Sequence, residues 1–124
     1  MEDTPVCNKT IAVIDDDESV RTALNSLLRS SGHQVRTYRS AREFLDSEAP
    51  AQTGCLVCDI QMPGMSGIEL HRHLLKNKVR IPTLFITAYP ELAANTSGLV
   101  DCLPKPCDAR RLLDCIAKAL GQPH

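Results

Sequence analysis

A chain of 124 residues with 43% hydrophobic and 23% charged content is long enough to bury a real core and too short for a second folded domain. Its formal net charge of −1, with the signs interspersed, leaves no basic stripe to follow a phosphate backbone, so direct nucleic-acid binding has no electrostatic footprint. No apolar run approaches the roughly 20 residues that cross a bilayer, and Met1-Glu2-Asp3-Thr4-Pro5 lacks the positive start and apolar stretch of a signal peptide, which points to a cytoplasmic protein with no membrane partner.

Five short β-like runs alternate with helical segments, the pattern of a parallel sheet covered on both faces. The first run is Ile11 to Ile14, followed by Asp17 as an N-cap and a helix with Val20, Leu24, Leu27 and Leu28 on one stripe. Gly32 stops that helix. Gln34 to Tyr38 is the second run, and Ser40 with Glu43 has the capping-box spacing of a helix start. The third run is Cys55 to Cys58, and Ser66 with Glu69 repeats the capping-box signal. Thr83 to Thr87 and Val100 to Leu103 complete the strands. Between them, residues 89–99 hold at most about two helical turns, and Asn95, Thr96 and Ser97 are mediocre helix formers, so a short fourth helix is predicted. The last helix runs from about Asp108 to Leu120, burying Leu112, Leu113, Ile116 and Leu120, with Gly121 and Pro123 beyond it. The fold class is therefore α/β, a doubly wound five-stranded parallel sheet of flavodoxin-like order 2-1-3-4-5, as one domain over residues 1–124 with its core at about 9–121.

Six cysteines raise the question of disulfides or a metal. Only Cys55 and Cys58 have a two-residue gap, and residues three apart on a strand face opposite ways, so they do not chelate one ion. The cysteines read as small buried hydrophobes of a reducing compartment.

In an open α/β sheet, ligands sit outside the carboxyl ends of the strands, where strand order reverses. The first strand ends in Asp15-Asp16-Asp17, the third in Asp59, the fourth in Thr87 and the fifth in Leu103-Pro104-Lys105. With strands one and three adjacent, Asp15 and Asp16 meet Asp59, and carboxylates so crowded must take up a proton or find a cation. Magnesium, a hard ion that combines one or two carboxylates with phosphate oxygens, answers that need, and manganese is a substitute. Asp59 is then a nucleophile able to form an acyl phosphate, with the Lys105 ammonium and the Thr87 hydroxyl aimed at phosphoryl oxygens. Singly, each residue has a plain structural role: Asp17 as a cap, Thr87 as a strand residue, Lys105 as a solvated charge. Their joint placement at strand ends favours chemistry.

Val13-Ile14-Asp15-Asp16-Asp17, Asp59-Ile60-Gln61-Met62-Pro63-Gly64-Met65-Ser66-Gly67, Ile86-Thr87-Ala88 and Leu103-Pro104-Lys105-Pro106 together resemble the receiver domains of bacterial two-component response regulators, those with helix-turn-helix transcription outputs above all. The resemblance spans nearly the whole chain. It implies that Asp59 is the phosphoacceptor, that Asp16 and Asp59 ligate magnesium directly, that Asp15 acts largely through a water, and that the Gln61 backbone carbonyl is the third protein ligand. Thr87 and Lys105 match the switch hydroxyl and the phosphate-binding lysine, and the Lys105-Pro106 bond is cis in similar domains. The implied partners are a sensor histidine kinase, an output DNA-binding domain outside this chain, and a second copy on phosphorylation; the protein is a phosphoacceptor rather than a turnover enzyme. Two departures stand out. Cys102 occupies the position, three residues before the lysine, where the family places Tyr or Phe, and the segment from Thr87 to Lys105 is several residues shorter than usual.

Other readings fit less of the chain. Asp15-Asp16-Asp17-Glu18-Ser19 read as D-x-D-x-S suggests a haloacid-dehalogenase phosphatase, but there is no room for its extra strands and cap. A flavin-binding module wants backbone donors in the first turn, where this chain has four acids, and with no Trp it is short of stacking rings. A receiver that binds partners without phosphorylation is the remaining alternative.

Overall fold

Where the first apolar run ends, consecutive aspartates turn the chain off the sheet and into a helix, and this move recurs along the protein. The computed structural model describes residues 10–47, 53–79, 81–88, 99–105 and 108–120, with the backbone alone at 99–101. Its elements are β1 (Thr10–Ile14), α1 (Glu18–Ser30), β2 (Gln34–Tyr38), α2 (Ala41–Asp46), β3 (Thr53–Asp59), α3 (Gly67–Lys76), β4 (Thr83–Thr87), β5 (Leu99–Pro104) and α4 (Ala109–Ala119). The strands form one parallel sheet in the order β2-β1-β3-β4-β5. β1 and β3 are neighbours, with Ile14 opposite Cys58, so their carboxyl ends open side by side.

Alternation along the strands splits the core in two. Ile11, Val13, Cys55, Val57, Leu84 and Ile86 pack with Leu24 and Leu28 of α1 and with Leu112 and Ile116 of α4. Ala12, Ile14, Leu56, Cys58 and Phe85 pack on the other face with Phe44 of α2 and with Leu70 and Leu74 of α3. Cys55 and Cys58 thus lie on opposite faces, and both are free thiols. Cys102 and Cys115 are only half-buried, as are Leu27, Leu113 and Leu120, because each lies at the margin of a helix stripe or on the edge strand β5.

The caps follow the sequence signals closely. Asp17 accepts from the N–H groups of Ser19 and Val20, and Asp108 from those of Arg110 and Arg111. α1 ends in a Schellman arrangement, Gly32 N–H to Arg29 O and His33 N–H to Leu28 O, with Gly32 at φ +91°, a conformation natural to glycine. Ser66 and Glu69 make a complete capping box. At α2 only half of the predicted box forms: Ser40 caps the Glu43 N–H, while the Glu43 carboxylate reaches one residue further, to the N–H of Arg39. Ser66→Ala removes the side-chain acceptor at the start of α3 and should lower stability by about 1 kcal/mol, read as a shift in urea midpoint at unchanged slope. The short fourth helix, the Lys105-Pro106 bond, and the helix stop at Gly121 and Pro123 lie outside the described residues.

Candidate functional site

At the carboxyl ends of β1 and β3, three acidic side chains converge. One carboxylate oxygen from each of Asp15, Asp16 and Asp59 lies within 4.8 Å of the others. Asp15 and Asp59 are buried, at 2% and 7% exposure, while Asp16 faces solvent. The cluster is therefore a pocket with one open side.

Each wall of the pocket is fixed by backbone. The Asp15 N–H donates to Tyr38 O at 3.1 Å, tying it to β2. Its Oδ1 accepts from the N–H of Asp17 at 2.9 Å, and its carbonyl accepts from Nη1 of Arg21 at 2.6 Å. Asp59 Oδ1 accepts from the Gln61 N–H at 3.1 Å, which turns the chain directly after β3 and leaves Gln61 exposed beside the carboxylate. The first residue of α3, Gly67, donates its N–H to Ile60 O at 2.9 Å, so the helix starts against this same turn.

Lys105 crosses to the acids from the end of β5. Its Nζ donates to Asp59 Oδ2 at 2.9 Å and to Asp15 Oδ2 at 3.3 Å. Burial alone would lower the lysine pKa, but the hydrogen bond to Asp59 and the charges of both aspartates outweigh it and leave it raised, so the ammonium stays charged at neutral pH. Burial raises the Asp15 pKa, with the nearby Asp59 charge adding to it, against the lowering effects of the Asp17 N–H and Lys105. One ammonium facing three carboxylates leaves negative charge in excess. The set of hard oxygen donors, converging within a few ångströms on an open side, fits a divalent cation of the magnesium type.

Thr87 is buried, at 1% exposure, at the end of β4, and its carbonyl accepts from the Lys105 N–H at 2.9 Å. The hydroxyl-bearing residue and the lysine are thus tied to each other through the main chain. The structure brings Asp15, Asp16, Asp59 and Lys105 into direct proximity, sets Gln61 against Asp59, and joins Thr87 to Lys105 through the main chain. Arg21 escaped the sequence reading, and Gly67 entered it only as the last residue of a motif, with no role of its own. A cation four residues after an N-cap aspartate, where the helix dipole does not favour it, was a signal for Arg21, and a glycine spent at a helix start was one for Gly67.

Cys102 packs at the margin of the cluster that contains Phe85, its register partner on β4. It stands half-buried. Tyr89, which follows β4 closely, lies outside the described residues.

Comparison with known proteins agrees with this geometry. A family model for the response regulator receiver domain matches residues 11–117. The transcriptional regulatory protein TdiR of Thauera aromatica is 37% identical over 116 residues, which cover 90% of this chain and 51% of TdiR. Among solved structures, response regulator StyR superposes with a TM-score of 0.85 at 45% identity, over 92% of this chain and 60% of that one. The response regulator TrrA of Thermotoga maritima, solved in complex with Mg(2+)-BeF, superposes with a TM-score of 0.80 at 26% identity, over 90% of this chain and 98% of that one. The chain spans about half the length of the curated relatives it matches.

Proposed function

Since this chain belongs to the response regulator receiver family, a family of phosphoacceptors in two-component signalling, we propose that Asp59 is its phosphoacceptor, charged by a sensor histidine kinase. The observation that carries this reading is the Lys105 ammonium held 2.9 Å from Asp59 Oδ2, with Asp15 and Asp16 converging on the same point. Asp16, Asp59 and the Gln61 carbonyl would hold magnesium, or manganese in its place. Asp15 acts less directly, largely through a water. When bound, the ion offsets negative charge on the phosphoryl oxygens and lets an anionic donor approach an anionic nucleophile.

The chain's own groups supply the rest. A carboxylate oxygen of Asp59 bonds to phosphorus as the bond from phosphorus to the kinase histidine nitrogen breaks, and that nitrogen keeps the electron pair. The Gln61 N–H orients the Asp59 carboxylate from one side. Lys105 turns from a carboxylate partner into a partner of the incoming phosphoryl oxygens, and because its N–H is bound to the Thr87 carbonyl, movement of the lysine and of the Thr87 hydroxyl toward the phosphoryl group is coupled. The resulting shift biases a surface beside β5 and α4, where a second copy or an output DNA-binding domain outside this chain reads it, in the service of transcription regulation. Residues 1–124 are read as one receiver domain that accepts a phosphoryl group and assists its loss without being a turnover enzyme. No helix among the described residues is long and apolar enough to cross a membrane, and the assigned place of work is the cytoplasm.

Incubation with acetyl phosphate and magnesium should add one phosphoryl group to the intact protein, by mass, and a chelator should abolish the gain. Magnesium binding without any gain would instead favour an interaction module that works unphosphorylated.

A further inference from the structure

Two arginines of α1 each reach down to a main-chain carbonyl of the sheet, at opposite ends of the helix. Arg29 Nη2 donates to Val35 O at 2.7 Å near the amino end of β2, and its Nε donates to Asn25 Oδ1 at 2.8 Å. Arg21 Nη1 donates to Asp15 O at 2.6 Å, at the carboxyl end of β1. The two contacts are chemically alike, and only the second borders the acidic pocket.

The oxygen that Arg21 grips belongs to the peptide joining Asp15 to Asp16. That peptide is planar, so holding its oxygen sets the plane from which Asp16 departs. Asp15 is then fixed on every side, its N–H by Tyr38, its carbonyl by Arg21, and its carboxylate by the Asp17 N–H and Lys105. Asp16 is exposed, and its backbone starts from the plane of this peptide.

We propose that Arg21 is a positioning residue of the acidic site, which holds the Asp15–Asp16 peptide so that both carboxylates keep the arrangement a divalent cation needs. This rests on reading Asp15, Asp16 and Asp59 as the magnesium site. A role through charge alone carries the opposite sign, because a cation at the border of a cation site repels the ion and its removal tightens binding. Loss of positioning weakens binding, by roughly tenfold where a residue supporting metal ligands is removed.

The test is calorimetric titration of magnesium into the unphosphorylated protein, with a melting temperature recorded for each variant. Arg21→Ala is expected to bind about tenfold more weakly. Arg21→Lys should recover part of the loss, since an ammonium still donates to one carbonyl oxygen. Arg29→Ala loses the equivalent contact at the far end of α1 and is expected to keep the parent affinity despite a comparable drop in melting temperature. Arg21→Ala at parent affinity or tighter, or Arg29→Ala weakened as much, overturns the proposal. If Arg21→Ala does not fold, Arg21→Met, which keeps the stem and lacks the donor, decides, weakened binding supporting the proposal and parent affinity overturning it. A parent protein that binds no magnesium overturns the reading of the acidic site itself, and the role of Arg21 with it.

Discussion

Asp59→Asn should take up no phosphoryl group from acetyl phosphate and magnesium, while its far-ultraviolet circular dichroism should match that of the parent. The first half follows from chemistry: a neutral amide oxygen is a poor nucleophile, and no other carboxylate of the cluster sits at the end of β3 with Lys105 at 2.9 Å. The second half follows from the surroundings. Among the described residues the Asp59 carboxylate meets two donors, the Gln61 N–H and the Lys105 Nζ, so an asparagine satisfies one and turns its amide group toward the other. Part of that loss is offset, because the Asp59 charge is one of the influences that raise the Asp15 pKa, and removing it relieves a buried carboxylate. A variant that still gains one phosphoryl group would place the acceptor on another carboxylate or on one of the four histidines, and would remove Asp59 from its assigned role.

The convergence of Asp15, Asp16, Asp59 and Lys105 was legible in the sequence because parallel strands force it. Once β1 and β3 are neighbours, whatever follows Ile14 and Cys58 must meet, and a chain that crosses back to the end of β5 brings Lys105 to the same rim. Local signals were as readable, since caps at Asp17 and Ser66 depend on a few consecutive residues. What escaped was contact made by long or absent side chains. Arg21 has several rotatable bonds between its Cα and Asp15 O, and nothing in its spacing says which carbonyl it meets. Glu43 likewise meets the N–H of Arg39, which the capping-box spacing does not specify. Cys102 shows a residue type without showing its neighbours; only the register Phe85 to Cys102 places it against that ring's cluster.

Gly67→Ala is the substitution expected to damage fold and site together. A Cβ at this position would collide with the backbone oxygen of Asp59, and would lie 3.1 Å from both Cys58 Sγ and Ile60 Cα. The obstacle is mostly main chain of β3 and the turn after it, which cannot swing aside as a surface side chain can. α3 must therefore back away, and its buried Leu70 and Leu74 lose their fit against Phe85 and Leu56. Overpacking of this kind costs about 1–3 kcal/mol, more than alanine returns through helix propensity at a first helical position. The same retreat pulls on the hydrogen bond from Gly67 N–H to Ile60 O, and with it on the turn whose Gln61 N–H orients Asp59. Labelling by acetyl phosphate should then slow by roughly ten- to hundredfold, the scale on which small misplacements act on a positioned nucleophile. Urea unfolding and the initial rate of mass gain, measured on the same preparation, separate the two effects. An alanine variant as stable as the parent and labelled at the parent rate would mean that α3 has slack at its start and that the close approach does not hold Asp59 in place.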